Sequence, residues 1–568
     1  MKQGNKNKVL VIGLDGATFD LLLPLIDEGK LPILKSFIRE GINGELESVV
    51  PPITAPAWSS FMTGKNPGKH GVYFFLNEDS PGQEISVVDA SSRSEKTLWE
   101  ILGEEGRRVL VMNVPTTYPP QPVNGVMVSC FLTPPGSRDY IYPQSLVKEI
   151  EEKFGKYPLC PRTPIFSANL SSSNTRRILK EVNEILEYKF KAASYLMEKY
   201  PGDFTMFHLY ETDRIQHELW NLIDETHPFY NKKLAKKYRD KIIDYFCQVD
   251  RKIGQLIEEV DEDTTVFIMS DHGFGPIHRC IDLNAWLLKE GYIQIKKNFF
   301  SQLRYRVWKW GFTYETLFKF LLKTVVKHGA GIIQKFHSEK TLQFLRRGKV
   351  NIFFSTKDVD WSQTRAYGRV GWGGININLA GRDSMGSVMK EDYESLREEI
   401  VKKLKNLVDP DTGKRVEGKV HIREETFHGK HQNLAPDLIF LPMDNGYIAG
   451  NVMGFTSNQP FTENRVWPGG HLMNGILMAK GKQIIKGKKI KGAGIMDLAP
   501  SILHLMGLKV PKNMDGKVLT DLFTRDFLEK HEIQYQKEAS PDEKIKKKNI
   551  KADSDEVIHR LKGLGYLR

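Results

Sequence analysis

Unbroken apolar runs mark the first half of the chain. Val9–Leu14, Arg108–Asn113, Phe204–Tyr210 and Thr265–Ser270 are rich in Val, Leu, Ile, Met and Phe and show no strict polar alternation. That is the pattern of strands buried on both faces. Helical periodicity lies between them, around residues 94–102, 172–200 and 232–260, while 131–165 is rich in Pro, Tyr and Gly and reads as loop. Strands alternating with helices at this spacing predict an α/β fold, a doubly wound and mostly parallel sheet with helices on both faces.

Residues 296–350 break this rhythm. Leu303, Val307, Trp310, Tyr314, Leu317, Leu321 and Val325 recur every three to four residues, a helical stripe crowded with other aromatics. The sheet pattern is expected to resume with Ile375–Leu379 and Asp437–Leu441. The resulting organisation is a core at 1–295 and 351–525, a basic aromatic helical insertion at 296–350 acting as cap or lid, and a charged tail at 526–568.

Charge sharpens the picture of the insertion. The whole chain carries +12, yet residues 296–349 alone hold 13 Lys and Arg against Glu315 and Glu339. The remainder is close to neutral, so no nucleic-acid-binding module is expected. Three roles for the insertion stay open: a structural cap, a lid attracting an anionic substrate, or a helix at a membrane surface.

Mean hydropathy is −0.39, and no apolar run approaches the roughly 20 residues that span a bilayer. The first strand begins by Val9 with no signal-peptide pattern before it, and Cys130, Cys160, Cys247 and Cys280 show no metal or disulfide spacing. The expected location is the cytoplasm, peripheral to a membrane if the insertion touches one.

Candidate chemistry sits at strand ends. Val9–Leu14 runs into Asp15-Gly16, Phe204–Tyr210 into Asp213 and His217, and Thr265–Ser270 into Asp271-His272-Gly273. Three buried strands, each delivering an acid or His at its carboxyl end, suggest one metal site at the top of a parallel sheet. Carboxylate and imidazole ligands suit Zn²⁺, with Mn²⁺ as rival. Asp213 and His217, at i and i+4, share a helical face. Read singly, each motif also fits a turn, a helix cap or a surface histidine. Thr54 precedes a short helix whose first turn takes Pro56; it could cap that helix or, with a metal to activate it, act as a nucleophile where phosphate binds. His471 lies in the glycine-rich stretch Trp467–Ile476.

Leu14-Asp15-Gly16, Thr54-x-Pro56 with Thr63-Gly64 and His70-Gly71, Asp213 with His217, Ser270–Gly273 and Gly470-His471 occur in an order that resembles the alkaline phosphatase superfamily, most nearly its type I phosphodiesterase/nucleotide pyrophosphatase branch. Ile495–Gly507, Met514–Gly516 and the terminal Leu564–Tyr566 are also similar to that superfamily, whereas 296–350 lies outside the stretches that carry the resemblance. The resemblance implies two divalent metal ions roughly 3.5–4 Å apart, one held by Asp15, Thr54, Asp271 and His272, the other by Asp213, His217 and His471. It implies an anionic phosphate-ester substrate and attack by Thr54 on phosphorus, giving a phospho-threonine that water releases. Asn77, slightly late after His70-Gly71, is the candidate substrate contact. A sulfatase would need a Cys or Ser nucleophile followed by Pro and Arg, absent here. The expected activity is a metal-dependent phosphohydrolase cleaving phosphodiesters or pyrophosphates. A phosphomonoesterase or phosphomutase is the alternative, and a non-catalytic or membrane-surface phosphate-ligand binder the alternative of another class.

Overall fold

The structure is a computed structural model; it describes residues 7–77, 86–161, 170–313, 316, 353–369, 371–443, 446–450, 455, 457–464, 467–537, 557–558 and 561. Its centre is a ten-stranded sheet. Five strands, Thr265–Met269, Val9–Leu14, Phe204–Leu209, Val109–Met112 and Gly125–Val128, lie side by side and parallel. Asn474–Lys480 runs antiparallel between Thr265–Met269 and Ile42–Glu47.

Val9–Leu14 is buried along its whole length. Its side chains alternate between two cores, as the pleat demands. Leu10, Ile12 and Leu14 pack with the helices Pro32–Glu40, Ser172–Lys199, Glu211–Ile223 and Lys232–Glu258. Val9 and Val11 pack on the other face with Thr54–Thr63, Leu98–Glu104 and Leu498–Leu505. Helices on both faces explain the unbroken apolar runs, because neither face of the inner strands meets water.

Two segments depart from the expected arrangement. Ile375–Leu379 and Asp437–Leu441 do not extend the central sheet. Gly374–Ile377 and Leu438–Pro442 pair with each other in a separate antiparallel sheet with Ala366–Gly368 and Gly418–Ile422. With the helix Lys390–Lys405 they enclose their own apolar core, which includes Ile375, Ile377, Leu396, Ile400 and Phe440. An alternating pattern states that one face is buried but not which sheet the strand joins.

Within the insertion, the described residues form the helix Phe299–Lys309. Its buried side chains are Ser301 and Trp308, whereas the stripe positions Leu303 and Trp310 are exposed. The helix therefore packs through a different face from the one the periodicity picked out. Tyr314, Leu317, Leu321 and Val325, and most of the tail beyond 537 including Leu564–Tyr566, lie outside the described residues.

Candidate active site

Every strand involved delivers its polar tip to the same edge of the sheet. Asp15 and Asp271 follow parallel neighbours in register, with Gly13 opposite Met269. Leu14 aligns with Leu209, which leads into the helix carrying Asp213 and His217. After His272 the chain turns into Gly273–Asp282, whose Phe274 pairs with His471 on the antiparallel strand Gly469–Leu472. That ladder brings His471 face to face with His272, ring centroids 3.5 Å apart.

Asp15, Thr54, Asp213, His217, Asp271, His272 and His471 are all buried. Asp15, Asp271 and His272 form one group in which ligand atoms lie within 4.8 Å of one another, and Asp213, His272 and His471 form a second. His217 completes the latter, its Nε2 3.4 Å from Asp213 Oδ1 and 2.9 Å from His471 Nε2. Thr54 Oγ1 is 3.4 Å from His272 Nε2. Thr54 is the first residue of its helix and the cap position falls on Ile53. Ile53 makes no side-chain capping hydrogen bond there, and Thr54, inside the helix, is not its cap.

The histidines share one geometry. Nδ1 of His217 faces the carbonyl oxygen of Gly469 at 2.9 Å, that of His272 the oxygen of Gly273 at 3.0 Å, and that of His471 the oxygen of Pro52 at 3.0 Å. A carbonyl only accepts, so each Nδ1 carries the proton and each Nε2 presents its lone pair. Two such lone pairs meet between His217 and His471, an arrangement that calls for a cation. Asp15 Oδ1 and Asp271 Oδ2 are buried with no hydrogen-bond partner among the described residues, and a buried carboxylate oxygen left that way is costly unless a cation completes it. Gly16 keeps the centre open: with φ at +64°, a Cβ there would lie 2.9 Å from Phe274 Cδ2 and 3.2 Å from Asp213 Oδ1. The donor set and the geometry fit divalent metal ions.

Without cations the electrostatics are adverse. Burial, then the charges of Asp271 and Asp213, push the Asp15 carboxyl well up, and burial raises Asp271. Burial lowers His217 to about 4 and His471 well below the usual histidine range.

Two supports escaped the sequence reading. His208 Nε2 lies 2.8 Å from Asp15 Oδ2, and Trp58 Nε1 donates to the same oxygen at 3.2 Å. The signals were present: a histidine inside a buried strand, and a tryptophan four residues after Thr54 on its helix. Trp372, on the loop joining two strands of the separate sheet, packs against His471 at 4.7 Å. It also lines a cavity of about 520 Å³ together with His471, Tyr447, Lys419 and His421. Asn77 is described only by its backbone, on the strand Leu76–Asn77 in register with Ser86.

A family model, type I phosphodiesterase/nucleotide pyrophosphatase, matches residues 9–459. The chain belongs to this family. It is a hydrolase of phosphoric ester bonds with the α/β fold of the alkaline phosphatase superfamily. No curated protein sequence matches it. Among solved structures, it is similar to human ectonucleotide pyrophosphatase/phosphodiesterase 5 at 14% identity and TM-score 0.46, over 91% of this chain and 100% of that one. It is also similar to phosphonoacetate hydrolase from Sinorhizobium meliloti 1021 in complex with phosphonoformate, at 13% identity and TM-score 0.49, over 87% of this chain and 94% of that one.

Proposed function

We propose that this hydrolase cleaves phosphodiester or pyrophosphate bonds, with Thr54 as nucleophile and two divalent cations, zinc before manganese, as cofactors. The observation that carries the reading is the convergence of three Nε2 lone pairs and three carboxylates beside the Thr54 hydroxyl. Asp15, Thr54, Asp271 and His272 would hold one ion, and Asp213, His217 and His471 the other. When bound, the ions supply positive charge that lowers the pKa of the Thr54 hydroxyl and offsets charge building on the phosphoryl and leaving oxygens.

Thr54 Oγ1 loses its proton and forms a bond to phosphorus as the bond to the leaving oxygen breaks. That oxygen departs as an alcohol or phosphate after gaining a proton. Water then cleaves the phospho-threonine ester, restoring the hydroxyl and releasing the phosphorylated product. The positive end of the Thr54–Thr63 helix favours the anionic group in front of it. The cavity beside His471 has room for an esterified group.

The test compares bis-p-nitrophenyl phosphate with p-nitrophenyl phosphate, before and after chelation and with Zn²⁺ or Mn²⁺ restored. Faster turnover of the diester, lost on chelation and recovered with metal, is expected. Activity that survives complete metal removal would sink the reading; a monoester preference would move it to the phosphomonoesterases.

A further inference from the structure

The helix Phe299–Lys309 has two faces with opposite surroundings. On one, Trp308 packs against Phe354 and Phe455 at 5.3 and 5.9 Å, and its Nε1 donates to the Phe455 carbonyl. Ser301 and Arg304 bind the buried Asp358 on the same side. These contacts fix the helix against the apolar core of the separate sheet. Phe299, Leu303, Arg306 and Trp310 follow at i, i+4, i+7 and i+11, about half a turn away, with Phe300 at the edge of that face.

This outer face is apolar and in water. Phe299 is 73% exposed, Phe300 66%, Leu303 46%, Trp310 85% and Phe312 44%. Twelve large hydrophobic side chains are exposed among the described residues, and five of them fall within 299–312. Scattered singles are ordinary on a protein surface, but such a concentration marks a contact site. Lys296, Lys297, Arg306 and Lys309 are exposed around it, and residues 291–313 contain no Asp or Glu.

We propose that this face docks on a bilayer rich in anionic lipid. Phe and Trp rings inserted at the headgroup level, with Lys and Arg meeting lipid phosphates, are the complementary pairing for such a helix. The buried face, tied down by Trp308 and the Arg304–Asp358 pair, would hold the helix in place on the core of the separate sheet while the outer face enters the membrane.

Co-sedimentation of the full chain with vesicles of phosphatidylcholine, with and without phosphatidylglycerol, tests this. Binding to the anionic vesicles is expected, weaker by ~10-fold or more without phosphatidylglycerol and falling as salt is raised. Phe300→Glu and Trp310→Glu change exposed positions; each should keep the parent's circular dichroism spectrum and weaken binding by ~10-fold. Both should hydrolyse a soluble diester as the parent does. Absence of binding to anionic vesicles, or variants that sediment like the parent, overturns the proposal. So does self-association abolished by Trp310→Glu without vesicle binding, which would assign the face to a second copy of the chain.

Discussion

His208 Nε2 sits 2.8 Å from Asp15 Oδ2, while its Nδ1 faces the Asn113 carbonyl at 3.0 Å. Burial keeps the ring neutral with its proton on Nδ1, so in the metal-free protein the Asp15 carboxyl, pushed well up by burial, donates to Nε2 and is held in place by that contact. The outer oxygen, Asp15 Oδ1, is thereby aimed toward His272, 3.6 Å from its Nε2. Residues that orient a ligand in this way typically contribute 10–100-fold in metal affinity. His208→Asn should weaken Zn²⁺ binding by about that factor while leaving a folded protein. Titration calorimetry of the metal-free variant checks it, and unchanged affinity would remove His208 from the site's support.

Thr54→Ala separates binding from chemistry. It removes the hydroxyl and the γ-methyl at a fully buried position and leaves the three histidines and three carboxylates in place. Metal content measured by mass spectrometry should stay close to that of the parent. Diester turnover should drop by ~10³-fold or more, since loss of a nucleophile is among the most severe catalytic lesions. Thr54→Ser should keep substantial activity. A Thr54→Ala protein that turns over diester at a normal rate would reject the phospho-threonine route.

Two features disfavour any other residue at Gly16, its left-handed φ of +64° and the crowding its Cβ would meet at Phe274, Asp213 and His272. Gly16→Ala should cost about 1–3 kcal/mol and lower metal affinity together with thermal stability. Thermal denaturation with and without Zn²⁺ reads both effects. A variant as stable as the parent, with the same metal-induced shift, would contradict the packing described here.

The buried acids and histidines set a pH dependence. In the metal-free protein Asp15 and Asp271 have raised pKa values, so their contribution to stability is complete below about 3.8 and is lost as pH rises through the folded values. His217 is lowered, so its contribution is complete above about 6.5 and is lost as pH falls through about 4. Metal requires ionised carboxyls and neutral imidazoles and must displace protons at low pH. The increase in Tm produced by Zn²⁺ should therefore be larger at pH 8 than at pH 5. An equal or reversed increment would show that these groups are not the ligands.

Trp372 covers His471 from the separate sheet's loop. Trp372→Ala should raise KM for bis-p-nitrophenyl phosphate several-fold and alter kcat less, with a smaller effect on p-nitrophenyl phosphate. Steady-state kinetics on both substrates decides whether the ring contacts the esterified group. Identical changes for the two substrates would limit Trp372 to packing.

The central sheet was legible because its inner strands are buried on both faces, and that burial writes an unbroken apolar run for each. The polar tips stood out against those runs, so Asp15, Asp271 and His272 could be picked out one strand at a time. Ile375–Leu379 and Asp437–Leu441 were equally recognisable as strands, yet their sheet was not, since pairing between distant segments leaves no periodic trace. The insertion shows the same limit within one helix. Its apolar residues surround the axis, and only the neighbours Phe354, Phe455 and Asp358 select which side is buried.

The sequence by itself determined the strands, the order of the motifs and the residue types able to bind metal, because these depend on neighbours a few positions apart. Only the tertiary structure decided that Phe274 pairs with His471 and that Asp15 leans on His208. It also decided that three Nδ1 protons are taken up by the carbonyls of Gly469, Gly273 and Pro52. Apart from the His272–Gly273 contact between adjacent residues, these contacts close loops of up to several hundred residues, and their geometry follows from strand register and packing rather than from any local pattern.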